Sequence, residues 1–346
     1  MIRFGPAGIP LSCKGRTMKD GIEDVHNLSL TAMEIQMVRA GTSEVPPDDE
    51  EIGRSIKDIE SALVVGVIRN DEMICDPQLI IEEDDFMIQM NSGVTNSFGD
   101  LYKVGRMAKR LDISMSMHTP NYMDLGSNNE LTSECMDSIM FAAVMADALG
   151  GDTVVTNLGL YHDGADREEI DNNITENVGM IMEWWKDTGL TPKLGVEITG
   201  HQDVYGSLEQ ILDLCDAVDN VVPVVNFPHH HARTRGSLET PEDFRELIET
   251  VAPYNDGRVY SIFAGVEHAD GNEQRLTPIK KGDLKFDMLG ECLADLKPEI
   301  KIISSSPLLE HDAMYMRIIH ERYLNKRVAK ALRVKKKEAE ESANEA

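Results

Sequence analysis

The chain has 346 residues, of which 41% are hydrophobic, so it is long enough to bury a large core. No apolar run reaches the length that a transmembrane helix needs, and we expect no membrane span. The formal net charge is −27, and a body this acidic repels nucleic acid unless basic groups or metal ions gather locally.

The negative charge is spread unevenly along the chain. Residues 317–346 hold 9 basic and 5 acidic side chains, a net of +4, so the rest of the chain carries −31. The start, "MIRFGPAGIP", lacks the basic beginning and apolar middle of a signal peptide. The five cysteines are scattered without a CxxC pair, which favours reduced thiols. We therefore predict a cytoplasmic protein.

Short apolar runs that predict strands alternate with amphipathic runs that predict helices. Strands this apolar are typical of a parallel sheet covered on both faces. The eight predicted strands are, in chain order, IRFGPAGI, AMEIQMVR, ISMSMHT, TVVTNLGLY, KLGVEITG, VVPVVNFPHH, RVYSIFAG and IKIISSSP. Eight such units favour a (β/α)8 TIM barrel. An open doubly wound sheet is the alternative, but no GxGxxG follows the first strand to support its nucleotide-binding form.

Two predicted helices have recognisable starts. Ser207 is followed three residues later by Gln210, which fits a capping box. Thr240 precedes Pro241, which fits an N-cap with proline at the first helical position.

Two segments depart from the alternation. Residues 43–97 begin with the acidic "SEVPPDDEE" and continue with "ALVVGVIR", "QLII" and "FMIQM", which predict a small β-rich insertion after strand two. It could be a lid, a dimer contact or decoration. After residue 316 the pattern predicts one long helix with a charged tail. We therefore divide the chain into a barrel, 1–316, and a C-terminal helix and tail, 317–346.

Chemistry in a TIM barrel takes place at the carboxyl ends of the strands. Seven of the ten histidines are predicted on this face, namely His118, His162, His201, His229, His230, His231 and His268. Imidazole together with carboxylate suits zinc or another divalent transition metal.

Glu197 and two of these histidines are the strongest candidates for a site. Glu197 lies in the apolar run "LGVEI", where an unpaired carboxylate would be costly to bury, so it needs a cation or several donors. In an extended strand alternate residues share a face, so His229 and His231 would face the site together and His230 would turn away.

The sequence resembles one known family. The segments that carry the resemblance are IRFGPAGIPLSCKGRT, AMEIQMVRA, MHTPNYMDL, LGVEITGHQDVYGSLEQILDL, NFPHHHAR and ISSSPLLEHDAMYM. They look like an archaeal-type branch of the endonuclease IV family, within the xylose-isomerase-like TIM barrels. The resemblance covers the chain apart from the insertion and the tail. It implies cleavage of DNA at abasic sites by a zinc cluster, in which metal-bound hydroxide attacks the phosphodiester.

The resemblance also implies metal ligands. His118 matches the histidine after strand three, and Glu197 matches a glutamate that bridges two metals and would be the catalytic carboxylate. His229 matches the histidine of an Asp-x-x-His segment, and His231 matches a histidine common in this branch.

Other ligand positions of the family are changed here, namely Asn157, Asn226, Ile262, Leu276 and Ser305. Asparagine is neutral, and its amide nitrogen offers a metal no lone pair. The surviving set would hold one zinc or other divalent ion at most, or none.

Three functions follow as hypotheses. The first is an endonuclease-IV-like DNA repair enzyme with a rebuilt metal site, whose partner would be DNA with abasic sites. The second is a catalytically inactive barrel that binds or regulates. The third is a single-metal hydrolase or isomerase acting on a small molecule. The sequence leaves the oligomeric state open.

Overall fold

The computed structural model describes residues 1–37, 41–91, 95–162 and 164–344, with side chains up to residue 335. Within these ranges the strands are β1 (Ile2–Pro6), β2 (Ala32–Gln36), β3 (Gly41–Val45), β4 (Val64–Arg69), β5 (Glu72–Ile74), β6 (Phe86–Asn91), β7 (Ser114–His118), β8 (Thr153–Thr156), β9 (Lys193–Glu197), β10 (Val221–Asn226), β11 (Arg258–Phe263), β12 (Gly265–Ala269), β13 (Asn272–Thr277) and β14 (Glu299–Ser304). The α-helices are α1 (Met18–Asn27), α2 (Phe98–Arg110), α3 (Glu130–Leu149), α4 (Arg167–Asp187), α5 (Leu208–Ala217), α6 (Phe227–Arg233), α7 (Pro241–Val251), α8 (Phe286–Leu296) and α9 (Glu310–Asn344).

Eight parallel strands form the predicted barrel, in the order β1-β14-β11-β10-β9-β8-β7-β2. The seam between β1 and β2 is joined by a single bridge, Ala7 to Glu34, and by a backbone hydrogen bond from Thr31 to Phe4. All residues of β8 and β10 are buried, as the apolar strand runs predicted. The (β/α)8 barrel, the β-rich insertion and the long C-terminal helix are confirmed.

The insertion after β2 is an antiparallel sheet of four strands, ordered β3-β6-β4-β5. Of the segment predicted at 43–97, residues 92–94 lie outside the described ranges, as do residues 38–40 at the end of the predicted second strand. Helix α9 starts at Glu310, earlier than the boundary we placed at residue 317.

The predicted helix starts are confirmed. Ser207 and Gln210 form a capping box at α5. Thr240 caps α7, and Pro241 stands at its first position. Within the described ranges, none of the helices has both the length and the apolarity that a bilayer crossing requires.

One prediction about a strand end was wrong, and one hairpin was not predicted. Strand β10 ends at Asn226, and residues 227–233 form helix α6 instead of continuing the strand. The side chain of Asn226 caps this helix, and Pro228 lies in its first turn, where the missing amide hydrogen does no harm. After β11 the chain forms a hairpin, β12–β13, which the sequence analysis did not predict.

Candidate functional site

The carboxyl ends of the barrel strands surround a pocket of about 410 Å³. Its lining residues are Ala7, Glu34, Gln36, His118, Asn121, Asn157, Glu197, Asn226, His229, Ile262, Leu276, Ser305 and Leu309. The structure therefore brings together all the ligand positions that the resemblance implied, kept or changed, except His231. The other histidines predicted on this face, His162, His201, His230 and His268, do not line the pocket. We call this the mouth pocket.

Glu197, at the end of β9, has three side-chain partners in the mouth pocket and is only 4% exposed. His118 Nε2 lies 2.9 Å from Glu197 Oε2, and His229 Nδ1 lies 3.2 Å from Glu197 Oε1. Asn226 Nδ2 donates a further hydrogen bond to Oε1. We predicted that this buried carboxylate needs either a cation or several donors, and the structure surrounds it with donors from side chains of the chain itself.

The two histidines that contact Glu197 are anchored at their other nitrogens by acceptors. His118 Nδ1 lies 2.7 Å from the carbonyl oxygen of Thr119. His229 Nε2 lies 2.8 Å from Glu273 Oε2, on the β12–β13 hairpin, and its Nδ1 is also 2.9 Å from the carbonyl oxygen of Ile198. Each ring therefore has acceptors at both nitrogens, an arrangement that suits the doubly protonated imidazolium.

The pKa values of this cluster follow from the same contacts. Burial alone would lower the pKa of His118 and His229, but the hydrogen bonds and charges of Glu197, Glu34 and Glu273 outweigh it and raise these pKa values to about 9 and about 10. Burial alone would raise the pKa of Glu197, but hydrogen bonds from the two histidines hold it well below its usual range.

A second buried carboxylate, Glu34 on β2, lines the same pocket and is 1% exposed. Its Oε2 accepts the hydroxyl of Tyr260 at 2.6 Å, and its Oε1 accepts Gln36 Nε2 at 2.5 Å. Burial raises the pKa of Glu34, although the charge of His118 and the Tyr260 hydrogen bond oppose this. Glu34, Gln36 and Glu273 were not predicted from the sequence. The first of these carried the signal that identified Glu197, a carboxylate in an apolar strand.

The changed family positions all lie on the wall of the mouth pocket. Ile262 and Leu276 contribute aliphatic surface. Asn157 Oδ1 and Ser305 Oγ are buried and have no hydrogen-bond partner among the described residues. Unpaired polar atoms beside a pocket are suited to hydrogen bonds with a ligand.

His231 belongs to a different cluster, so the expectation that it faces the site with His229 was wrong. The reason is helix α6, in which residues two apart point in different directions. His231 Nε2 lies 3.3 Å from Asp283 Oδ1, and His268 Nε2 lies 3.1 Å from Asp283 Oδ2. The backbone amide of Leu238 donates to His231 Nδ1, so in the neutral ring the proton is on Nε2.

The spacing of the His, Cys, Asp and Glu ligand atoms determines where a metal ion could bind. Among the described residues, the one set of three His, Cys, Asp or Glu side chains whose ligand atoms lie within 4.8 Å of one another is His231, His268 and Asp283. His118, Glu197 and His229 do not meet this spacing. Both Glu197 oxygens already accept hydrogen bonds, and the Asn226 group facing them is a donor. The side chains of the mouth pocket therefore do not fit a metal ion.

Comparison with known proteins agrees with this fold. Over 213 residues the chain is 28% identical to an uncharacterized protein of Methanocaldococcus jannaschii, a match that covers 59% of this chain and 76% of the relative. A solved D-tagatose 3-epimerase-like protein is similar with a TM-score of 0.62 at 17% identity, covering 94% of this chain and 99% of the other. Endonuclease IV from Thermus thermophilus is similar with a TM-score of 0.57 at 16% identity, covering 94% and 99%. At these identities the solved structures show the fold alone.

Most of the barrel sequence matches a known protein family. Residues 92–306, which include every barrel strand from β7 to β14, match the family described as "Xylose isomerase-like TIM barrel". The match covers more than half of the chain and includes Glu197 and His118. The protein belongs to the xylose isomerase-like TIM barrel family.

Proposed function

We propose that the mouth pocket binds a small, hydroxyl-rich carbonyl compound of about the size of a monosaccharide and isomerises it by proton transfer. The observation that carries the proposal is the lining of the pocket, in which polar side chains from separate barrel strands converge on one space of about 410 Å³. Pockets for small molecules have volumes of about 300–1,000 Å³ and combine an apolar wall with a few convergent polar groups.

The distribution of polar and apolar atoms supports a sugar-like ligand. Asn157 Oδ1 and Ser305 Oγ, which have no partner among the described side chains, can bond ligand hydroxyls. Ile262, Leu276 and Leu309 supply an apolar wall for the C–H face of a ring. The net charge of −27 does not favour a polyanionic substrate such as DNA.

The two buried carboxylates support acid–base chemistry. The environment raises the pKa of Glu34 and lowers that of Glu197, and a pair of groups whose pKa values are driven apart is the usual arrangement for divided acid and base roles. Glu34 is the candidate to exchange a proton with the ligand, because burial raises its pKa and so makes it a stronger base than an ordinary carboxylate. In an epimerisation a proton leaves the carbon beside the carbonyl group and a proton returns to the opposite face of that carbon. In an aldose–ketose isomerisation it returns to the former carbonyl carbon, while the hydroxyl proton moves to the carbonyl oxygen, so neither reaction consumes an oxidant.

Similar solved structures support the substrate class. One is described as an L-ribulose 3-epimerase, with a TM-score of 0.58 at 12% identity, and another as a D-tagatose 3-epimerase-like protein. Both names refer to epimerisation of ketose sugars.

The test measures the binding of sugars to the protein and the exchange of their protons with solvent deuterium. A panel of aldoses, ketoses and their phosphates is screened by thermal shift, and each hit is incubated with the protein in D2O while 1H NMR follows loss of the proton beside the carbonyl group. We expect at least one ketose to raise the Tm and to exchange. Glu34→Gln should bind but not exchange, whereas Glu267→Gln, on the exposed hairpin, should do both. If no compound binds, or if Glu34→Gln exchanges at the wild-type rate, the proposal is wrong.

The competing proposal is the zinc-dependent abasic-site endonuclease that the sequence resemblance implied. The fold similarity to endonuclease IV supports it, and the acidic body and the hydrogen-bonded Glu197 oppose it. Incubation with abasic-site DNA, with and without added zinc, tests it in the same preparations. Zinc-dependent nicking that Glu197→Gln abolishes would replace the sugar proposal with this one. DNA as a partner and the cytoplasmic location stay predictions.

A further inference from the structure

Asn226 makes hydrogen bonds in two directions, and these bonds fix the orientation of its amide. Its Oδ1 accepts the backbone N–H of His229 at 3.1 Å, as the N-cap of helix α6. Its Nδ2 donates to Glu197 Oε1. An amide flip would place the NH2 group against the His229 N–H and the oxygen against the carboxylate, so both bonds would become donor–donor or acceptor–acceptor contacts.

This orientation decides what the Glu197 carboxylate can bind. Asn226 is 2% exposed and Glu197 is 4% exposed, so water cannot readily replace either partner. A metal ion at Oε1 would meet the hydrogens of the Asn226 amide, which repel a cation. At the same time the ion would displace His229 Nδ1, 3.2 Å away. The other oxygen, Oε2, is held by His118 at 2.9 Å.

We infer that Asn226 is a positioning residue that holds Glu197 as the acceptor of protein donors and thereby keeps a metal ion out of the mouth pocket. The side chain does this with no charge of its own. The inference goes beyond the proposed function, because it concerns what the site excludes and holds whichever molecule the pocket binds.

The variant Asn226→Asp tests whether the uncharged side chain of Asn226 keeps a metal ion out. An aspartate can still cap α6 through one oxygen. Its second oxygen would then face the Glu197 carboxylate in a buried environment, where two carboxylates either share a proton or hold a cation between them. One substitution should thus convert a hydrogen bond into a place for a divalent ion.

The experiment measures metal content and thermal stability together. Untagged wild-type protein, Asn226→Asp and the double variant Asn226→Asp/Glu197→Gln are dialysed against excess zinc and then against buffer, and zinc per chain is counted by elemental analysis. His268→Ala accompanies each as a background, because it removes the His231, His268 and Asp283 set from the zinc count. Each protein is also melted in EDTA and in zinc.

We expect wild-type protein in the His268→Ala background to retain well below one zinc per chain, with a Tm that zinc does not change. Asn226→Asp should have a lower Tm in EDTA, a Tm that rises in zinc, and a bound zinc that the Glu197→Gln change removes. A residue that only caps the helix would move the Tm without making it zinc-dependent.

Two results would overturn the inference. One is a stoichiometric zinc in the wild-type chain that survives His268→Ala and is lost on Glu197→Gln. The other is an Asn226→Asp protein whose stability does not respond to zinc. If Asn226→Asp does not fold, the wild-type zinc count with and without Glu197→Gln decides the question alone. None of these measurements uses a sugar, so failure here is separate from failure of the proposed isomerisation.

Discussion

The hydroxyl of Tyr260, on β11, donates to the carboxylate of Glu34, on β2, over 2.6 Å inside the barrel. The same hydroxyl lies 2.7 Å from Ser116 Oγ. The ammonium group of Lys301 lies over the ring of Tyr260, 5.0 Å from its centroid. Lys301 Nζ also donates a hydrogen bond to Asp152, at the opposite end of the barrel. A polar chain therefore crosses the barrel interior and ends at the acid–base candidate of the mouth pocket.

Removing this hydroxyl should affect both stability and Glu34. Tyr260→Phe should lower the free energy of unfolding by about 1–3 kcal/mol, because a buried carboxylate loses a donor. It should also raise the pKa of Glu34, which the tyrosine lowers through its hydrogen bond. Denaturant unfolding checks the first effect, and 13C NMR of labelled carboxyl groups, with Glu34 assigned from Glu34→Gln, checks the second. Tyr254→Phe, which removes a hydroxyl 3.4 Å from the exposed Asp216, should change neither. An unchanged Glu34 titration in Tyr260→Phe would contradict the role given to this bond.

The histidines around Glu197 predict a loss of stability at alkaline pH. Their pKa values in the folded chain are about 9 for His118 and about 10 for His229, above the ordinary 6.5. A group whose pKa rises on folding stabilises the fold fully below the unfolded value, and this contribution disappears as the pH rises through the folded value. The free energy of unfolding should therefore fall between about pH 7 and 10. Urea unfolding midpoints across this pH range test the prediction. The fall should be smaller in His118→Gln than in the wild-type protein. It should be as large as in the wild-type protein in His311→Gln, which alters an exposed ring. Midpoints that stay level in the wild-type protein would refute it.

The backbone of β1 at Gly5 lies in close contact with the backbone of β2 at Ala32. A Cβ atom at Gly5 would lie 1.8 Å from the carbonyl oxygen of Ala32, a backbone atom that cannot move aside. Gly5→Ala should therefore destabilise the barrel by at least the roughly 1–3 kcal/mol typical of overpacking. Gly179→Ala is the matched control, because nothing lies within 4 Å of the added carbon and alanine favours the interior of α4, by about 1 kcal/mol. Thermal melts of the two variants should shift in opposite directions; equal shifts would count against the close contact.

The insertion depends on a buried ion pair. Arg69 on β4 donates through Nε and Nη2 to the two oxygens of Asp85, each at 2.7 Å, and Asp85 is 2% exposed. The hydrogen bonds from Arg69 hold the pKa of Asp85 below its usual value. The pair therefore stabilises the fold above the unfolded pKa and stops doing so as the pH falls.

Arg69→Met should make the insertion sheet open at mildly acidic and neutral pH, with a loss of about 1–3 kcal/mol from the unpaired carboxylate. Limited proteolysis within residues 41–91, followed by mass spectrometry, measures this. Arg275→Met breaks the exposed pair with Glu267 and should have little effect, since exposed ion pairs contribute at most about 1 kcal/mol. Equal protease sensitivity of the two variants would show that the buried ion pair stabilises the insertion no more than the exposed pair does.

The barrel was predictable because its signals are local. Strands covered on both faces are continuously apolar, as in β8 and β10, and helix starts such as Ser207 with Gln210 are encoded within four residues. Glu197 was found because a carboxylate in an apolar strand requires partners. The same reasoning applied to "AMEIQ" would have found Glu34.

The partners themselves could not be predicted from local patterns. Tyr260 is 226 residues from Glu34 along the chain, and Glu273 reaches His229 only because an unpredicted hairpin follows β11. The direction of His231 could have been predicted. Asn226 followed by Pro228 is a helix start, and a helix separates His229 from His231.

The seam of the barrel has a consequence for its motion. Among the described residues, seven strand pairs are held by ladders, whereas the seam between β1 and β2 has one bridge, at Glu34, and one backbone hydrogen bond, from Thr31 to Phe4. Opening of a folded protein begins where the fewest backbone hydrogen bonds must break. The amide hydrogens along this seam should accordingly exchange with solvent before those of the other barrel strands, and the first water to enter the barrel would arrive beside Glu34.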